Sequence, residues 1–119
     1  MNIVKKGEIP VGTHLILNVY NAELDHLERV GVGLQLLDYM VEELKLNVVA
    51  KESHQFYPIG YTITYILSES HLNIHTYPEY KSCFIDIFCC NPEFNPAKAI
   101  NVVKSAFKTN SVTHTVIYR

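Results

Sequence analysis

Between Leu67 and Tyr80 the chain reads Leu-Ser-Glu-Ser-His-Leu-Asn-Ile-His-Thr-Tyr-Pro-Glu-Tyr. Leu72, Ile74 and Thr76 alternate with His71, Asn73 and His75, the period of a half-buried strand with polar side chains on one face. Pro78 stops it, because proline fixes φ and donates no ladder hydrogen bond. The apolar face of such a strand needs a second layer to cover it. The same stretch carries two serines, two histidines and two glutamates, a crowding of nucleophiles and bases that a structural strand does not require.

The rest of the chain supplies the layers. Thr13 to Tyr20 predicts a strand. From Ala22 to about Lys45, Leu24, Leu27, Val30, Leu34, Leu37, Val41 and Leu44 recur every three or four positions, one face of a long amphipathic helix with Asn21 as N-cap. Gly31 and Gly33 cost that helix roughly 1 kcal/mol each relative to alanine, so they mark a bend or a close contact. A strand over Leu46 to Tyr57, a turn at Pro58-Ile59-Gly60 and a strand over Tyr61 to Leu67 follow. After a loop at Pro78-Glu79-Tyr80 comes a strand from Ser82 to Cys90. Asn95-Pro96 starts a second helix that runs to about Lys108, with Ile100, Val103 and Phe107 inward. Ser111 to Tyr118 closes the chain, and residues 1–12 form an irregular arm broken by Pro10 and Gly12. The order β-α-β-β-β-β-α-β predicts an α+β fold: a two-layer sandwich with both helices on one face of a largely antiparallel sheet. With 119 residues and no linker or repeat, it reads as a single domain over 1–119.

A net charge of −2 argues against a nucleic-acid partner, since no excess of Lys and Arg is present to neutralise phosphates. No apolar run reaches the roughly 18 residues that would span a bilayer, and the start lacks the apolar centre of a signal peptide. The expected setting is cytoplasmic, with Cys83, Cys89 and Cys90 reduced. Adjacent Cys89 and Cys90 suit neither a disulfide scaffold nor a zinc knuckle. His71 and His75 have a ligand spacing that works on a helix but not on a strand, so no metal is expected.

A hairpin centred near Tyr80 opposes residues whose numbers sum to about 160, which sets Ser70 across from Cys90 with both side chains on one side. A slip of one residue puts Cys89 there instead. The pattern thus predicts a hydroxyl, a thiol and nearby imidazoles in one pocket. A Ser–His or Cys–His hydrolase is one chemistry for such a set, but there is no Gly-x-Ser-x-Gly elbow and no acid that orients a base.

The run from Leu67 to Tyr80, followed by Ile85-Asp86-Ile87-Phe88 and Cys90, resembles the prokaryotic S-adenosylmethionine decarboxylase proenzymes. Gly12-Thr13-His14 and the His54-Gln55-Phe56 to Gly60 segment extend the resemblance, which spans about Thr13 to Phe107. It implies a chain that cuts itself between Glu69 and Ser70. The Ser70 hydroxyl attacks the Glu69 carbonyl, and elimination leaves residues 1–69 and a chain of 70–119 headed by a pyruvoyl group. It implies His75 as the processing base and Thr62 as the processing hydroxyl. The pyruvoyl ketone takes up the substrate amine and the electron pair freed with CO₂, and Cys90 returns a proton. Phe56 and Tyr77 match adenine-stacking positions and Glu79 a ribose-binding one. The implied substrate is S-adenosylmethionine, the product feeds spermidine and polyamine synthesis, and the implied assembly is a homodimer of processed protomers. Relatives usually carry Trp where Tyr77 stands and Gly where Asn91 stands. Two other readings remain open: the same maturation acting on arginine or ornithine, and a non-catalytic partner of an active homologue. His14, His26 and His114 read as structural, and Tyr61, Tyr65, Phe84 and Phe88 as core or interface.

Overall fold

The computed structural model describes residues 7, 9–68 and 70–119; of the predicted arm, residues 1–6 and 8 lie outside them. The strands are β1 (Thr13–Val19), β2 (Val48–Gln55), β3 (Tyr61–Leu67), β4 (Ser70–Tyr77), β5 (Ser82–Cys89) and β6 (Val112–Tyr118). The helices are α1 (Val30–Glu43) and α2 (Pro96–Phe107). One sheet runs in the order β2-β3-β4-β5-β1-β6, with every neighbouring pair antiparallel. Alternation decides which side is covered. Leu15 and Leu17, Ile63 and Tyr65, Leu72 and Ile74, and Ile85 and Ile87 are all fully or almost fully buried. Against them lie Leu37 and Met40 of α1 and Ala99, Val103 and Phe107 of α2. The two-layer α+β arrangement is the predicted one.

α2 begins as its sequence says, with the Asn95 side chain accepting from Lys98 N at 3.3 Å and Pro96 in the first turn. The first helix does not. Asn21 sits at φ 56° and donates to the Ser111 hydroxyl, so it ends β1 instead of capping a helix. A 3₁₀ turn at Leu24–His26 follows, and α1 starts only at Val30. Its cap comes from a distant strand. Gln55 Oε1 accepts from Val30 N at 2.7 Å, while Gln55 Nε2 donates to the carbonyls of Glu28 and Gly60, each at 2.8 Å. One amide therefore ties the helix start to the turn before β3.

Of the two helical glycines, Gly31 has open space around it, while Gly33 lies on the Tyr61 ring. Tyr61 is fully buried and donates to the His26 carbonyl at 2.6 Å, so it has no room to retreat. Gly33→Ala should therefore destabilise the fold by about 2 kcal/mol through overpacking, whereas Gly31→Ala should be neutral or stabilising. Urea denaturation of the two variants compares them directly.

The hairpin is one residue tighter than predicted. Pro78–Tyr80 forms a 3₁₀ turn, and Lys81 at φ 50° returns the chain so that Tyr77 pairs with Ser82. Ser70 consequently lies opposite Cys89, not Cys90. Among the described residues no helix is long and apolar enough to cross a membrane.

Candidate active site

The sequence-predicted residues fall into two clusters at opposite ends of β4. At the first, Cys89 follows the alternation of Ile85 and Ile87 and is buried in the core. Cys90, one residue past the strand, is half-buried, and its thiol lies 3.4 Å from the Ser70 hydroxyl. So Cys90 meets Ser70 even though Cys89 is its ladder partner. Ser70 has φ 153°, a positive value that side-chain-bearing residues avoid. Such backbone costs of order 1–3 kcal/mol, and it sits at the link to Glu69, which lies outside the described residues.

Cys90 is also pressed from beneath. A Cβ added to Gly12 would fall 3.1 Å from the Cys90 sulfur, 3.0 Å from the Cys89 carbonyl and 2.8 Å from the Phe88 ring. Gly12 N in turn donates to the Arg119 carbonyl at 2.8 Å, and Arg119 N returns a bond to the Gly12 carbonyl at 3.0 Å, so the glycine cannot swing away. Cys90 and Gly12 share the lining of a cavity of about 220 Å³.

At the other end, Thr62 on β3 pairs with His75 on β4, and Thr62 Oγ1 lies 3.0 Å from His75 Nδ1. Both line a cavity of about 380 Å³ with Phe56, Tyr77 and Glu79. Every predicted substrate-binding residue is thus gathered with the predicted processing base. Phe56 is 48% exposed and leans edge-on to His54 at 4.7 Å between ring centroids.

These two clusters do not form one pocket within a chain. His75 is five residues along β4 from Ser70, about 17 Å at strand spacing. The predicted grouping of hydroxyl, thiol and imidazoles holds for Ser70 and Cys90 and fails for His75. Strand alternation places side chains on a face but says nothing of distance along it.

A third cluster was missed from sequence. Asp86, in the middle of β5, points to the face without helices. Its Oδ2 is 2.8 Å from His71 Nε2 and 3.0 Å from His14 Nε2. Burial works to raise the Asp86 pKa, but hydrogen bonds from His14, His71 and Asn73 outweigh it and hold the carboxyl below its ordinary value. The Phe88 ring lies 5.5 Å from the His14 ring and 6.0 Å from the His71 ring. The sequence did carry a signal. An aspartate inside an apolar strand needs partners; its ladder neighbours are Ile16 and Asn73, and the two imidazoles reach it diagonally from His14 and His71, the partners of Phe88.

The family model described as S-adenosylmethionine decarboxylase matches residues 13–119. An S-adenosylmethionine decarboxylase proenzyme of Clostridium botulinum is 37% identical over 93 residues, covering 78% of this chain and 80% of its own. The Persephonella marina proenzyme is 31% identical over 112 residues, covering 94% and 84%. The crystal structure of the adenosylmethionine decarboxylase from Aquifex aeolicus superposes with a TM-score of 0.83 at 25% identity, over 92% of this chain and 90% of that one. A strained serine against a thiol at one strand end, a histidine–threonine pair at the other and this span of matching sequence have one common reading: the chain belongs to the S-adenosylmethionine decarboxylase family.

Proposed function

We infer that this chain is a self-processing enzyme that removes CO₂ from S-adenosylmethionine through a pyruvoyl group made from its own Ser70. The observation that carries this is the 3.4 Å contact between the Ser70 hydroxyl and the Cys90 thiol, at a residue held in strained backbone. Decarboxylation goes with the family, and the relatives' description as proenzymes fits a chain that cuts itself.

In this reading the Ser70 hydroxyl adds to the Glu69 carbonyl and displaces its own nitrogen, converting the peptide bond to an ester. Release of the backbone strain at Ser70 favours that shift. His75 then removes the Ser70 α-proton, and the ester leaves as the Glu69 carboxylate. If Nδ1–H donates to Thr62, Nε2 is left unprotonated to act as that base. Hydrolysis of the resulting enamine frees ammonia and leaves a ketone at residue 70. The single domain is thereby divided into chains 1–69 and 70–119. The position fits a pyruvoyl group: residue 70 is half-buried and its side chain is turned to Cys90, which itself lines a cavity. When present, the group serves as the electron sink for the pair released with CO₂. Cys90 delivers the proton to the carbon that lost CO₂, a placed transfer typically worth about 10²–10⁴-fold. Phe56 and Tyr77 offer ring faces to the adenine, and Glu79 accepts from the ribose hydroxyls.

The split of the site along β4 calls for two copies. The face without helices exposes Ile66, Tyr77 and Phe84, with the Tyr77 and Phe84 rings 5.5 Å apart. Two such faces can stack about 10 Å apart, as sheets in sandwiches do. A two-fold axis lying between the sheets and across the strands brings the Ser70 end of one protomer over the His75 end of the other. The enzyme is then a cytoplasmic homodimer whose two sites each draw on both chains.

Intact mass measurement tests the maturation, and CO₂ release from carboxyl-labelled S-adenosylmethionine, arginine and ornithine tests the substrate. Two chains divided after Glu69, with release from S-adenosylmethionine alone, is the expected result. An uncut chain with full turnover, or release from arginine or ornithine, refutes it. Gly12→Ala should cut normally yet lose about 10- to 100-fold in kcat, because the Cys90 thiol is displaced by a fraction of an ångström or more.

A further inference from the structure

We infer that Asp86 is the positioning residue of this site, holding residue 70 in place through His71 and the Cys90 side through His14. The inference rests on the reading of Ser70 given above. Before scission, residue 70 is tethered from both sides. Afterwards it is a chain end, and the first side chain behind it is His71. That imidazole bonds to Asp86 at 2.8 Å. The same carboxylate oxygen takes His14 Nε2 at 3.0 Å. His14 lies two residues beyond Gly12, the residue that abuts the Cys90 thiol. One carboxylate thus braces both partners of the reaction from behind.

The proton inventory fixes each group's role. Arg119 Nη1 lies 3.2 Å from His14 Nδ1, and a guanidinium only donates. His14 Nδ1 is therefore the acceptor, and Nε2 carries the proton that it donates to Asp86. An ionised carboxylate only accepts, so His71 Nε2 must also carry a proton. The three ligand atoms lie within 4.8 Å of one another, a spacing that would also suit a metal ion. With both Nε2 atoms protonated, neither has a lone pair to give one. In this protonation state the cluster acts as a brace, and zinc titration distinguishes it from a metal centre.

Asp86→Asn, His71→Leu and His71→Gln test this, the last because a glutamine amide keeps a donor near the Nε2 position. Long-range ¹H–¹⁵N spectra of histidine-labelled protein should show a proton on Nε2 of both His14 and His71, with both signals shifted in Asp86→Asn. Asp86→Asn and His71→Leu should still fold and cut into two chains, with Asp86→Asn melting below wild type at neutral pH for want of the carboxylate. Their kcat should fall about 10- to 100-fold with KM within about twofold, and His71→Gln should recover most of the loss. Unchanged kcat in Asp86→Asn, an Nδ1–H tautomer at His14, or stoichiometric zinc binding that Asp86→Asn abolishes would each overturn the inference. Should Asp86→Asn not fold, the Leu and Gln pair at His71 decides alone. The tautomer spectra are read whether or not the chain turns over. An inactive or uncut wild type therefore counts against the proposed function, and the imidazole signals still judge the brace.

Discussion

Ser70→Ala is expected to yield a single uncut chain of 13.6 kDa that releases no CO₂ from S-adenosylmethionine. The substitution removes the oxygen that is the nucleophile for the acyl shift and then the leaving group of the elimination that makes the ketone, so the loss is complete, not partial. Stability should hardly change. The hydroxyl's partner is the Cys90 sulfur at 3.4 Å, at a half-buried position, and a hydrogen bond of ordinary strength is worth only about 1 kcal/mol net. Mass spectrometry separates the outcomes without an activity assay: wild type divides, Ser70→Ala does not. Reduction with cyanoborohydride in the presence of substrate should add mass to the 70–119 chain of wild type and leave the variant untouched. A decarboxylating Ser70→Ala protein would end the pyruvoyl reading.

Equally large effects are expected from His75→Ala, and these should be reversible in trans. His75 lies about 17 Å along the strand from Ser70 in its own chain, given roughly 3.3 Å per residue. In the proposed dimer it serves the Ser70 of the neighbouring chain. Alone, the His75→Ala homodimer should remain uncut and inactive, as should the Ser70→Ala homodimer. Co-expressed, they form mixed dimers in which the intact Ser70 and Cys90 of one chain face the intact His75 and Thr62 of the other. Random pairing makes half the dimers mixed, each with one of two sites complete, so activity should return to about a quarter of wild type. The cut should appear only in the chain carrying His75→Ala, which a size tag on one partner reveals. Absence of any recovery, with mixed dimers demonstrated by the tag, would show that each site is made within one chain.

The depressed pKa of Asp86 adds a milder expectation. Its carboxylate is held below its ordinary value by His14, His71 and Asn73 against the opposing pull of burial. A carboxyl lowered on folding contributes stability that is present above its unfolded pKa of about 3.9 and lost as pH falls through the folded value. Wild type should thus lose stability below about pH 4 more steeply than Asp86→Asn, measured by denaturant titration at each pH.

Local chemistry alone determined the strands, the covered face and the start of α2. Alternation at Leu72, Ile74 and Thr76, or at Ile85 and Ile87, has only one solution once a core must be buried, and Asn95-Pro96 caps a helix with atoms that it carries itself. The pairing of Ser70 with a thiol was legible for the same reason, since a hairpin with a short turn leaves a choice of only one residue in register. Three things needed the folded chain. The first helix begins at Val30 because Gln55, 25 residues away in sequence, supplies its cap. The turn at Pro78–Tyr80 with left-handed Lys81 set the register to Cys89 and left Cys90 at the strand end to meet Ser70. Asp86 collects His14 and His71 from strands 72 and 15 residues away, and His75 parts from Ser70 along their common strand. Sequence periodicity reports which face a residue shares. Distance along that face, and donors arriving from remote strands, exist only once the sheet has closed.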